Sequence, residues 1–101
     1  MDGMKIEFRD KRLAIIRTDR AHELRLPMAV IKVARDRLNF IAAAPDERSL
    51  RDWKSLNYKK LENDREDQRQ IKINDQYRIR FILDDSTQPP TVIVTDIGDP
   101  H

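Results

Sequence analysis

Apolar positions recur along the chain with two different periods. Met4-Lys5-Ile6-Glu7-Phe8 alternates apolar and polar residues, the mark of a half-buried strand. Asp10 is placed to cap a short helix over Lys11 to Arg17 that carries Leu13 and Ile16 inward. After a polar loop containing His22, Pro27 suits the first position of a helix. Met28 to Ala44 then sets Ile31, Ala34, Leu38 and Ile41 at spacings of three, four and three, which is one helical stripe. Lys32, Arg35, Asp36 and Asn39 occupy the opposite side. Pro45 stops the helix, Asp46 to Arg51 reads as a capped turn or short helix, and Trp53 and Tyr58 lie in the connection that follows.

From Arg69 the period becomes two. Ile71 and Ile73 share one face with Lys72 and Asn74 on the other, and Tyr77, Ile79, Phe81 and Leu83 alternate with Arg78, Arg80 and Ile82. Asp84 to Pro90 is a polar turn, and the β-branched run Thr91 to Ile97 makes a further strand. The order β-α-α-β-β-β predicts a single α+β domain over residues 1–101, with helices on one face of an antiparallel sheet and the other face open. No repeat, low-complexity tract or Gly/Ser linker divides the chain, and its two glycines lie near the ends.

Residues opposite one another in a hairpin share a face, so the faces constrain the turn. A two-residue loop at Asp75-Gln76 pairs Lys72 with Ile79 and mixes faces. A three-residue loop, Asn74-Asp75-Gln76, pairs Ile71 with Ile79, Lys72 with Arg78 and Gln70 with Arg80. The uncovered face then carries Lys72, Arg78 and Arg80 as a small cationic shelf. Like charges in such positions cost from a few tenths to about 1 kcal/mol, so the shelf calls for compensation, either by Asp84, Asp85, Asp96 or the acidic run Glu62 to Asp67, or by an external anion such as phosphate.

Composition narrows the chemistry. The 101 residues contain no cysteine and two separated histidines, which removes disulfides, thiol catalysis and cysteine-ligated metal, and no metal or other cofactor is expected. Apolar runs are too short for a membrane span, no secretory h-region follows Met1, and a cytoplasmic location is expected. A net charge of +2, with 10 basic and 6 acidic residues up to Ala44 and 10 and 12 after it, leaves no polybasic tail. Any basic site must be assembled by the fold.

The run Gln-Ile-Lys-Ile-Asn-Asp-Gln-Tyr-Arg-Ile from Gln70 to Ile79, preceded by Leu61 and Asp64-Arg65 and followed by a β-rich stretch ending in Asp96-Ile-Gly-Asp-Pro-His101, resembles the HigB-like branch of the RelE/ParE toxin superfamily. The resemblance spans roughly the last 45 residues. It implies a RelE-like fold and a toxin of a type II toxin–antitoxin pair that enters the ribosomal A site and cuts mRNA there without a cofactor. It also implies a neutralising helix-turn-helix, HigA-like antitoxin, with DNA approached only through the toxin–antitoxin complex. RelE-type members surround the scissile phosphate with a Lys-x-Lys strand, the Arg of a Tyr-Arg-Leu strand and a basic or imidazole group near the C-terminus. Here those positions fall on Gln70, Lys72, Arg78 and near His101.

Attack of a 2′-hydroxyl on phosphorus needs a proton acceptor, a proton donor for the 5′-oxygen, and cations against the charge gathering on the phosphoryl oxygens. Arg78 and Arg80 suit the last role through planar guanidinium donors. His101 titrates near neutrality. Lys72 serves as electrostatic clamp or base, and Asp99 or Asp96 as base or as the group orienting His101. Lys59 and Lys60, leading into the sheet, are candidate RNA-phosphate contacts beside Gln70 and Arg80. Trp53 and Tyr58 carry faces on which bases stack, although anchoring the core under the long connection is the expected use. His22 is expected in solvent, and Lys32 and Arg35 form a helix face open to ribosomal RNA or to an antitoxin. The chain departs from the family's habits at Leu61-Glu62-Asn63 where Leu-Lys-Gly is common, at Lys59 where a histidine is common, and at Asp-Pro-His where Asp-Tyr-His is common. Two alternatives therefore stand beside the nuclease: a ParE-like gyrase inhibitor, and a catalytically weak remnant that binds an antitoxin.

Overall fold

The computed structural model describes residues 3–100. Its strands are β1 (Ile6–Phe8), β2 (Lys59–Lys60), β3 (Arg69–Lys72), β4 (Arg78–Asp84) and β5 (Thr91–Gly98), and its α-helices are α1 (Met28–Ala43) and α2 (Glu47–Asp52). They form one five-stranded sheet in the order β1-β5-β4-β3-β2, with the helices against one face.

α1 follows the stripe that the spacing predicts. Ile31, Ala34, Leu38 and Ile41 are buried, joined by Val30. Against them lie the inward residues of the strands, among them Ile71, Ile79, Phe81, Val92 and Val94. Burying each large aliphatic side chain contributes about 1.5–3 kcal/mol before chain entropy is set against it. The helix ends because Ala44 precedes Pro45 and is pushed to extended backbone (φ −76°, ψ 134°). Asp46 then caps α2, its carboxylate accepting from the Ser49 N–H at 3.1 Å. Gly3 seats the N-terminal segment on the end of α1: a Cβ there would stand 1.8 Å from the Ala42 carbonyl oxygen. The Met4 N–H donates to the Ala44 carbonyl at 2.9 Å.

Three expectations need correction. The sheet is mixed, because β1 runs parallel to β5, pairing Ile6, Glu7 and Phe8 with Val92, Ile93 and Val94. Alternation fixes which face a side chain takes, but says nothing of strand direction. A fifth strand exists, since Lys59 and Lys60 pair with Gln70 and Arg69, a segment too short to show a period. The Lys11–Arg17 helix is a 3-10 helix with Asp10 as its cap. Leu13 and Ile16, three apart, stack on three residues per turn, and no apolar partner at a four-residue spacing favours the wider coil.

The β3–β4 hairpin has the register required by the parity of its faces: Gln70 with Arg80, Ile71 with Ile79, Lys72 with Arg78. Its turn is braced by Asn74, whose side-chain oxygen accepts from the Gln76 and Tyr77 N–H groups at 2.9 and 2.8 Å. Between β4 and β5 the register shifts after Arg80, leaving Thr95 as an extra residue and setting Asp96 opposite Arg80.

Candidate functional site

Strand parity collects Gln70 and Lys72 of β3, Arg78 and Arg80 of β4, Asp96 of β5 and Lys59 of β2 on the face away from the helices. That face is only half open. The segment from Leu61 to Gln68 folds across it: Thr95 donates to the Gln68 side-chain oxygen at 2.5 Å, and Glu66 reaches Arg9, just past β1, at 2.5 Å. The roof is fastened where Gln68 meets Thr95 of β5 and where Glu66 meets Arg9. Asn63 and Asp67 turn the segment with φ of 60° and 55°, left-handed conformations that asparagine and aspartate tolerate better than most residues. The cationic shelf occupies the uncovered end, bordered on one side by a depression lined by Lys59, Leu61, Glu62, Asn63 and Asp64 and on the other by the Asn74–Gln76 turn.

The acids that temper the shelf are partly the expected ones. Asp96 faces Arg80 across the strands. Asp64 has its carboxyl held below the usual range, first by the Gln68 backbone N–H and then by the Gln68 side chain, with Arg80 adding to the effect. Lys72, however, pairs with Asp75 of the turn at 2.8 Å, and this contact and charge lower the Asp75 carboxyl. Asp84 and Glu66 are occupied elsewhere, with Ser86 and Arg9. Arg80 donates to the Gln70 side-chain oxygen at 3.4 Å. Arg78 donates to the Asn74 carbonyl and, at 3.1 Å, to the Tyr77 carbonyl.

Of the residues named from the sequence, Lys59, Gln70, Lys72, Arg78, Arg80 and Asp99 thus converge on or beside the shelf. Asp99 follows the end of β5 and accepts from the Gln76 side-chain amide at 3.0 Å, which puts a carboxylate at the turn side of the shelf. Lys60 is not part of it. It alternates with Lys59, shares the helix side of the sheet with Arg69, and lies 3.8 Å from Asp67. His101 lies outside the described residues. His22 is exposed, as expected. Arg35 is not available on an outer helix face, because its guanidinium donates to the Ile16 and Thr18 carbonyls and ties α1 to the 3-10 helix.

The two aromatic side chains of the connection divide. Tyr58 anchors as expected, packed on the core and donating to Glu47, while Arg69 donates to its oxygen at 3.2 Å. Trp53 does not: it is 37% exposed, with its ring on Phe40 and Arg37. The sequence offered one signal for this, the charged neighbours Asp52 and Lys54. Among the described residues no group of three or more His, Asp or Glu side chains converges as a metal site, and no helix is long and apolar enough to cross a membrane. No protein-family model matches the chain, and no curated protein matches its sequence.

Proposed function

We propose that the chain is a HigB-like, RelE-type toxin that cuts mRNA on the ribosome. The observation that carries the reading is the shelf: Lys72, Arg78 and Arg80 converge on the uncovered end of the sheet, with Gln70 and Lys59 beside them and two carboxylates, Asp96 and Asp99, at the border. Its shape and charge suit one phosphodiester of an extended strand. Arg78 and Arg80 receive the phosphoryl oxygens, and Lys72, released from Asp75, adds a third cation. The 2′-oxygen attacks phosphorus, the O5′ bond breaks and a 2′,3′-cyclic phosphate forms. The hydroxyl proton passes to a base, for which Asp99 is the best-placed carboxylate beside the turn, and the 5′-oxygen is protonated by a donor, the role suited to His101.

The partner of such a toxin is a helix-turn-helix antitoxin, and the setting is the cytoplasm, where ribosomes and mRNA are found. The position where RelE-type members have a first lysine is Gln70, which accepts from Arg80, so this shelf works with one cation fewer and with Arg80 held in place.

Inducible expression of wild type and Arg78→Ala, with mapping of mRNA 5′ ends, tests the reading. Growth arrest with codon-phased cuts is expected, with cutting reduced about 10²–10³-fold in the variant, as for the loss of one donor to a developing oxyanion. Arrest with intact mRNA would instead point to a gyrase-type target. No arrest would leave an antitoxin-binding remnant.

A further inference from the structure

Of the basic side chains in residues 48–60, Arg48, Arg51 and Lys60 are paired with Asp52, Glu47 and Asp67, whereas Lys54 has no ion pair among the described residues. In the middle of this stretch stands Trp53, the only tryptophan of the chain. Its ring is held rather than loose: Phe40 of α1 lies 4.2 Å away between centroids at an interplanar angle of 52°, and the Arg37 guanidinium lies 5.1 Å from the ring centroid. Arg37 does a second thing. Its Nε donates to the Lys72 carbonyl at 3.3 Å, so one guanidinium joins the aromatic ring to the backbone of a shelf residue.

Among the described residues no strand covers the edge between them. β2 pairs with β3 at Arg69 and Gln70 and stops short of Lys72. The hydrogen bond from Ile73 N–H to the Tyr77 carbonyl makes that a bonded pair, so the Lys72–Arg78 pair is non-bonded and the Lys72 carbonyl points outward, toward Arg37. A chain passing off the shelf at Lys72 therefore meets Trp53 within the reach of one side chain.

We propose that Trp53, with Arg37 and Lys54, is a second RNA subsite on which an unpaired base of the strand leaving the shelf stacks. The inference rests on the nuclease reading for the identity of that strand. A base supplies a π-face to the exposed part of an indole already oriented by Phe40, while Arg37, over the ring, and the adjoining Lys54 supply cations for the neighbouring phosphates. Arg37 at the ring and the adjoining Lys54, neither held in an ion pair among the described residues, favour a polyanion over an apolar peptide as the occupant.

Because the tryptophan is unique, its emission reports this subsite alone. The purified full chain is titrated with a single-stranded octaribonucleotide, following tryptophan emission, and with a labelled copy, following anisotropy. Saturable quenching is expected, weaker with an octamer abasic at its central positions. Trp53→Ala is expected to bind about 5- to 100-fold more weakly, and Trp53→Phe, which keeps an aromatic face, to retain most of the affinity. Binding by anisotropy with unchanged emission, or equal affinity for the Ala variant, overturns the subsite while mRNA cutting in cells keeps the nuclease reading. Quenching without any cutting in cells overturns the nuclease reading and leaves the subsite. No binding by either signal overturns the subsite.

Discussion

Lys72 is the shelf residue whose charge is most directly contested. Its ammonium pairs with Asp75, a side chain 99% exposed at the tip of the turn, where an anion arriving from solvent competes for the same cation. Exposed pairs of this kind contribute little to stability, so under the proposed function Asp75 is expected to act on RNA binding more than on the fold. Asp75→Asn should bind single-stranded RNA about two- to fivefold more tightly, with an unchanged melting temperature. Anisotropy titration of the two proteins checks this, and equal or weaker binding by the variant would remove Asp75 as a competitor. The juxtaposition of Lys72 and Arg78 could be read from the sequence because strand alternation has a strict period of two and a three-residue turn, unlike a two-residue one, keeps the isoleucines on one side. Asp75 itself could not, because a turn residue has no period and its direction depends on how Asn74 ties the loop.

At the scale of elements, α2 is fastened to β3 by a small network of Glu47, Tyr58 and Arg69, with Arg51 over the phenol ring. Burial pushes the Glu47 carboxyl up, but the Tyr58 hydroxyl and the Arg51 and Arg69 charges outweigh it and the carboxyl ends below its ordinary 4.5. A carboxyl lowered by folding stabilises the native state above its unfolded value, and that contribution is lost as pH falls through the folded one. Burial and the neighbouring carboxylate push the Tyr58 phenol to about 12 from its ordinary 10.0, so its contribution is present below 10 and is lost as pH rises toward 12. Urea midpoints should therefore decline at both ends, below about pH 4.5 and above about pH 10. Glu47→Gln should cost about 1.5–3 kcal/mol near neutrality and flatten the acid limb, whereas Tyr58→Phe should flatten the alkaline one. Limbs unchanged in these variants would show that other groups set the pH range. The individual elements were legible: α1 from its stripe, α2 from Asp46, β3 and β4 from alternation, and β5 from its β-branched run. What could not be read was the pairing of distant segments, since β1 joins β5 from the opposite end of the chain and β2 is two residues long.

Across the whole molecule, a net charge of +2 produces a local field because the fold sorts its charges. The 61–68 segment ties Glu66 to Arg9 and brings Asp64 near Arg80 and Lys59, while Lys72 and Arg78 lie at the turn end of the sheet. Sequence counts average these away, so the chain's composition gives no hint of the local cluster of cations. The consequence is measurable as counterion release, which for a single strand contributes a slope of about −0.7 in log affinity against log salt for each phosphate neutralised. Four cations would give about −3, and Asp75 and Asp96 draw this toward about −2 by holding part of the charge in the free protein. Arg78→Ala should reduce the magnitude by about 0.7, whereas Lys32→Ala, on the exposed side of α1, should leave it unchanged. A slope near zero would mean that phosphate is not what the shelf holds. Equal reductions for Arg78→Ala and Lys32→Ala would mean that RNA meets the protein over its surface at large, with no preference for the face that the strands assemble.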